Sequence, residues 1–436
     1  MKNLFLLSLI FICTTNYILH AQEFVNPRYN KAVFNDITVT TGIEFAQADA
    51  YDLLGFDSPE PLYLDFYEPT GDTSTKRPLV ITVFGGAFLA GSRDAADMVA
   101  WCDSLAHRGY VCASIDYRLG FNVTYDASAV RTGYRAVQDA RAAIRFMKEY
   151  HDVFGIDTTQ IFMLGNSAGA ITAIQASYLE ESDRPAVTYG IPGSWAESND
   201  LGCIDCSGNS YQHTIDVKAV VGFWGAVLDT NGIDSSDEAP ILMIHGDNDN
   251  VVLIDNGLPF GLPTFPQMYG SRTIHNIRTQ LNLESTLHVF PGEGHNFYSD
   301  GGFPGVYWDT LFNMGIEFLC MNNTYCDTSL LRPTIVPAQF DIANPMTGVE
   351  TMENANQNAW ILYPNPSSSY INLDFKVPPT TSTQVSIYNA QGQQIRLYTN
   401  IDQFNVWDIS DLPNGIYYVH TQSEYYQQSK KLTILK

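Results

Sequence analysis

Basic residues are scarce. The 436-residue chain has 23 Lys and Arg against 47 Asp and Glu, a formal net charge of −24. No basic patch could easily dominate such a field, which argues against a nucleic-acid partner; solubility outside the cell is the simpler meaning of the acidity. Long apolar runs are missing too. Leu4 to Cys13 is apolar but too short to span a bilayer, and no later segment is long and apolar enough to do so. It follows the short basic start Met1-Lys2-Asn3 and precedes the small residue Ala21. Residues 1–21 therefore read as a secretory signal cleaved after Ala21, and no transmembrane segment is expected.

Cysteine is sparse as well. Of seven in all, Cys13 lies in the signal, which leaves an even number for an oxidising compartment. Proximity along the chain pairs Cys102 with Cys112, Cys203 with Cys206, and Cys320 with Cys326. A zinc site on Cys203 and Cys206 would need two more ligands, and only His213 is near. No metal and no cofactor are expected.

What the chain does have is a hydrophobic fraction of 45%, enough for a substantial core. From about Pro78 to Cys320 buried-strand patterns such as Leu79 to Phe84, Tyr110 to Ile115 and Ile241 to His245 alternate with helical ones such as Ala95 to His107, Tyr134 to Tyr150 and Thr273 to Leu281. That rhythm predicts an α/β domain, a doubly wound and mostly parallel sheet with helices on both faces, over residues 22–321. The Gly-, Pro-, Ser- and Asp-rich stretch 180–212 interrupts it and is a candidate cap insertion. Residues 322–358 read as a linker, and 359–436, with period-two alternation between turn signals, as a small antiparallel β-sandwich without helix.

The chemistry concentrates at Gly165-Asn166-Ser167-Ala168-Gly169. An apolar strand, Ile161 to Leu164, runs into it and a helical pattern leaves it, the context of a nucleophile elbow. The glycines are needed because Ser167 must occupy a strained turn where a flanking Cβ would strike backbone. A serine nucleophile needs a base, and His295 sits in a Gly-rich loop after the last strand. It also needs an acid to orient that base. Asp247 and Asp249 both follow a strand; Asp247 suits a turn-capping role, and Asp249, just ahead of Val251-Val252, is favoured. His245 precedes both acids and has the wrong order for the base. Oxyanion donors are expected from the backbone amides of Gly86, Ala87 and Ala168.

These segments, with Asp116-Tyr117-Arg118-Leu119, resemble the esterase and lipase branch of the α/β-hydrolase superfamily, which includes the hormone-sensitive-lipase-like enzymes. More narrowly they are similar to bacterial carboxylesterases related to feruloyl and acetyl-xylan esterases. The resemblance implies Ser167 as nucleophile, Asp249 as acid, His295 as base, and Gly86, Ala87 and Ala168 as oxyanion donors. Where that family usually has His-Gly-Gly-Gly, this chain has Phe84-Gly85-Gly86-Ala87. Leu362-Tyr363-Pro364-Asn365-Pro366 and Leu412-Pro413-Asn414-Gly415-Ile416-Tyr417 resemble the sorting domain of the Bacteroidetes type IX secretion system, which implies that machinery as a partner.

The expectation is a secreted or cell-surface serine carboxylesterase acting through an acyl-enzyme, on acetyl or feruloyl esters of plant polysaccharide. A polyester depolymerase, a prolyl-oligopeptidase-like peptidase and a binding or adhesion protein with an inactive hydrolase fold are the alternatives. The peptidase normally carries a propeller, for which this chain has no room.

Overall fold

The computed structural model describes residues 26–331 apart from 53–57, 235–238 and 300–301, and residues 360–436 apart from 364–366, 368, 376–382, 390–392, 400, 402–403 and 423–426. The expected signal lies outside the described residues, as does the expected linker beyond residue 331. The chain divides into two compact units, Met1–Ala338 and Gln339–Lys436.

The first unit is built on an eight-stranded sheet ordered β1-β2-β4-β3-β5-β6-β7-β8. The strands are β1 (Ile37–Asp49), β2 (Pro59–Pro69), β3 (Arg77–Val83), β4 (Val111–Ile115), β5 (Ile156–Asn166), β6 (Ala219–Phe223), β7 (Ile241–Gly246) and β8 (Ser285–Phe290). From β4 to β8 all neighbours are parallel, and β1 and β2 add an antiparallel edge. Every residue of β3 is buried, as a strand covered on both faces demands. The covering helices are α1 (Ala96–Ala106), α2 (Asp126–Glu149), α3 (Ala168–Tyr178), α4 (Ser271–Gln280) and α5 (Trp308–Met321). This is the α/β architecture that the alternation predicts. The carboxyl ends of β3, β5, β7 and β8 carry the loops in which the candidate site residues lie.

Helix α2 is longer than its apolar period suggests, and the reason lies on its polar side. Arg131, Gln138, Arg141, Arg145 and Lys148 recur at helical spacing and point at one segment. Arg131 donates to the carbonyls of Val187 and Asn199 (2.8 and 2.9 Å). Gln138 donates to Leu201 and Cys203 (both 3.0 Å), Arg145 to Ser207 (2.7 Å) and Lys148 to Thr214 (2.7 Å). Asp205 takes both Arg141 and Arg145 (3.0 and 3.3 Å). The 180–212 stretch is therefore laid along α2 as a strap, its carbonyls satisfied by the helix instead of by a ladder of its own.

The cysteines divide. Cys203 with Cys206 and Cys320 with Cys326 form disulfides, as proximity suggests. Cys102 and Cys112 do not: both are free thiols in the core. Cys102 lies on the sheet-facing side of α1 beside Thr82 Oγ1 (3.3 Å), and Cys112 faces it from β4. Burial, then the contact with Cys102, pushes the Cys112 thiol well above its usual range.

The second unit holds a three-stranded antiparallel sheet, β9 (Trp360–Tyr363), β10 (Tyr370–Phe375) and β13 (Phe404–Asp408). A four-stranded one is made of β11 (Gln384–Asn389), β12 (Gln394–Tyr398), β14 (Gly415–Gln422) and β15 (Gln427–Ile434). They share a core of Trp360, Ile371, Leu373, Val385, Ile387, Val419 and Leu432. Among the described residues this unit has no helix.

Replacing Arg145 with Met should release the strap near Ser207. We expect faster amide exchange and earlier proteolysis across residues 199–214, with about 1–3 kcal/mol lost from stability. Unchanged exchange in that stretch would contradict this account of α2.

Candidate active site

The elbow is a steric arrangement before it is a chemical one. Ser167 sits between β5 and α3 at φ 51° and ψ −123°, a strained conformation for a non-glycine residue. A Cβ at residue 169 would lie 2.0 Å from the Val83 carbonyl oxygen, and one at residue 165 would lie 2.4 Å from the Gly169 carbonyl. Only glycine lets α3 begin so close to β3. The Ser167 amide donates to Phe223 O of β6 (2.9 Å), which pins the turn from its other side.

The loops after β7 and β8 bring two further side chains to this hydroxyl. His295 Nε2 lies 2.9 Å from Ser167 Oγ, and its Nδ1 lies 2.7 Å from Asp249 Oδ2. The carboxylate can only accept, so Nδ1 carries the proton and Nε2 is free to accept the serine hydroxyl. Asp249 is held in turn: its Oδ1 accepts the amides of Val251 (2.8 Å) and Val252 (3.0 Å). Burial by itself would raise its pKa; hydrogen bonds from His245 and His295 outweigh it and hold the carboxyl well below the usual range. Asp247 is elsewhere, its Oδ1 taking the Gly292 amide at 2.6 Å.

The loop after β3 lies against the elbow itself. A Cβ at Gly85 would stand 3.1 Å from Ser167 Cβ. Ala87 and Phe88 have positive φ (55° and 61°), so the loop is held in a conformation that side chains rarely adopt. Among the described residues the amides of Gly86, Ala87 and Ala168 have no backbone acceptor.

Residues 64–235 match the BD-FAE family model, and residues 361–435 match the secretion system C-terminal sorting domain. The BD-FAE match includes Ser167 and the loop after β3 and ends ahead of Asp249 and His295. Carboxylesterase 5A of Homo sapiens is 34% identical over 119 residues, 26% of this chain and 20% of that protein. Esterase LipI of Mycobacterium tuberculosis is 28% identical over 161 residues, 36% of this chain and 47% of that protein. The chain thus spans less than half the length of either relative. A thermophilic esterase from the Planctomycetes species Thermogutta terrifontis, bound to propionate, is 21% identical with a TM-score of 0.44, covering 63% of this chain and 94% of that one. The sorting tail points to a secreted or cell-surface protein. No helix among the described residues is long and apolar enough to cross a membrane.

Two residues of the site escaped the sequence reading. His245, excluded as a base by its order, is buried directly behind the acid. Its Nε2 lies 2.8 Å from Val252 O and 3.2 Å from Asp249 Oδ2, and its Nδ1 lies 2.8 Å from Ser271 Oγ. Its place four residues ahead of Asp249 was the one available signal. Trp224 follows β6 at φ 41°, and its ring stands 5.9 Å from the His295 imidazole. No sequence pattern marks it.

The aromatics of the strap and of the loops beside the site fall into separate groups. Phe121, Phe265 and Phe260 form a file (5.6 and 5.4 Å between rings). One end is tied to the loop after β3 by Gly120 N to Phe88 O (2.8 Å), the other to the acid loop by Phe260 N to Val251 O (2.9 Å). Tyr211 packs instead on Phe146 and Tyr150 at the far end of α2, and Trp195 is exposed on the strap. A cavity of about 250 Å³ lies under the strap, lined by Tyr51, Arg118, Arg131, Arg135 and Glu197 among others, and none of Ser167, Asp249 and His295 borders it. Among the described residues no cluster of three or more His, Cys, Asp or Glu could hold a metal ion.

Because the folded Asp249 carboxyl titrates below its unfolded value, it contributes stability at neutral pH that is lost as pH falls through and below about 4. Asp249→Asn should therefore flatten the acid side of the stability profile. Urea unfolding at pH 7 and about pH 3 should show a smaller difference for the variant than for the parent; an equal difference would contradict the burial and bonding described for this carboxylate.

Proposed function

We propose that this chain is a secreted serine carboxylic-ester hydrolase. The observation that carries the reading is the continuous hydrogen-bonded line from Asp249 through His295 to Ser167 (2.7 and 2.9 Å), with the serine raised on a strained turn. In this reading Ser167 Oγ attacks the ester carbonyl carbon while its proton passes to His295 Nε2. Asp249, already ionised and hydrogen-bonded to Nδ1, stabilises the imidazolium without taking its proton. The developing oxyanion lies toward the amides of Gly86, Ala87 and Ala168, donors that need no reorganisation when charge appears. Collapse breaks the bond to the alcohol, which leaves with the proton from His295. Water then attacks the acyl-enzyme with His295 again as base, releasing the acid and restoring the serine.

The BD-FAE match supports ester chemistry, and the aromatic file beside the site supports an ester with an apolar or aromatic portion. Acetyl and feruloyl esters of plant polysaccharide are the substrates proposed first, polyester the alternative. The C-terminal unit supports export through type IX secretion machinery, the partner proposed for it.

Ser167→Ala should lower turnover of a short-chain p-nitrophenyl ester by at least about 10⁴-fold, and His295→Ala by a similar factor. Retained turnover in either variant would overturn the assignment. A panel of acetyl-sugar, feruloyl and polyester-film substrates separates the substrate classes, since each releases a different acid.

A further inference from the structure

One cluster outside the Ser-His-Asp line touches three of the loops that the proposed reaction needs. Asp97 lies in the first turn of α1, the helix that follows the loop after β3; Asn166 immediately precedes Ser167; Tyr298 follows His295 by three residues. Asn166 Nδ2 lies 2.6 Å from Asp97 Oδ2 and 2.6 Å from Tyr298 Oη, and Tyr298 Oη lies 2.5 Å from the same Asp97 oxygen. The hydrogens account for one another. The two amide hydrogens of Asn166 go to the carboxylate and to the phenol, and the phenol hydrogen goes to the carboxylate, which closes a ring. The other Asp97 oxygen accepts the Met98 amide at 3.0 Å, so neither is idle.

We propose that Asp97, Asn166 and Tyr298 are positioning residues for Ser167 and His295, a hydrogen-bonded ring that holds the elbow, the histidine loop and the start of α1 in one geometry. The proposal rests on the ester-hydrolase reading above and adds residues to which that reading gives no part. The phenol is shielded from water: the Tyr298 side chain is packed by Trp224, Trp308 and Phe223 (4.7, 5.3 and 5.9 Å between rings) and is fully buried. Burial, then the neighbouring carboxylate, keeps the phenol protonated far above the usual tyrosine range, so it remains a donor at every working pH. A charge-assisted network in such surroundings is stiff, and small misplacements of a nucleophile relative to its base cost rate steeply.

The test is Tyr298→Phe, which keeps the packed ring and removes only the hydroxyl. With a short p-nitrophenyl ester, kcat should fall by about 10- to 100-fold with KM little changed. Asp97→Asn, whose amide oxygen can still accept from the phenol, should keep more activity than Asp97→Ala. The downfield Nδ1 proton resonance of His295 should shift or broaden in Tyr298→Phe, a signature read whether or not the ester is turned over. A folded Tyr298→Phe with parental kcat and an unmoved His295 resonance would overturn the proposal, as would a lowered melting temperature with parental kcat. Absence of turnover in the parent would count against the ester-hydrolase reading instead, leaving the resonance to judge the ring.

Discussion

The carbonyl oxygen of Val83 stands where a side chain at residue 169 would have to be. That close approach lets α3 start directly beneath β3, turns Ser167 out of the strand, and sets its amide against β6. The loop after β3 reaches the same spot because its first glycine lies against the elbow. Strain at Ser167, Ala87 and Phe88 collects within a few residues of one hydroxyl, and the packed sheet around it holds that strain in place. The histidine and the acid arrive on loops whose strands, β8 and β7, lie three and two places beyond β5 in the sheet. The positions of all these side chains follow from how closely three backbone segments are allowed to approach.

The acidity of the chain has an internal counterpart. Many of its few cations are turned inward and occupied. Arg118 pairs with Asp139, Arg141 and Arg145 with Asp205, and Arg93 with both Asp65 and Asp116. The arginines of α2 hold a strap that is too rich in Gly, Pro and Ser to build a ladder of its own. Buried guanidinium groups thus serve as multidentate donors for irregular backbone, which leaves the surface to the carboxylates. The feature that argues against nucleic acid and the feature that orders the strap are two consequences of one charge distribution.

The backbone around Ser167 was legible, and so were the parallel core strands of the sheet. Strand, turn and helix around Ser167 announce themselves through apolar runs and two glycines, and the parallel core strands are continuous apolar segments. Distances between chain-remote groups were not legible. His245 looked idle because order along the chain says nothing about what stands behind a carboxylate. Asn166 is simply one of two variable positions in a five-residue motif until Asp97 and Tyr298 are seen beside it. The start of α2 was hidden because Arg131 and Arg135 break an apolar period on a face that is nevertheless buried. Strand β1 was missed for its exposed edge pattern and β2 for its prolines. Cys102 and Cys112 lie ten residues apart and face each other, yet nearness in the chain did not decide their chemistry.

The central claim is that Ser167 is a nucleophile activated by His295. Labelling the purified chain with a fluorophosphonate and mapping the adduct by peptide mass spectrometry tests it most directly. The account predicts a single stoichiometric adduct on Ser167 that is lost in His295→Ala while the fold persists. An adduct on another residue, or undiminished labelling of Ser167 without His295, would contradict it.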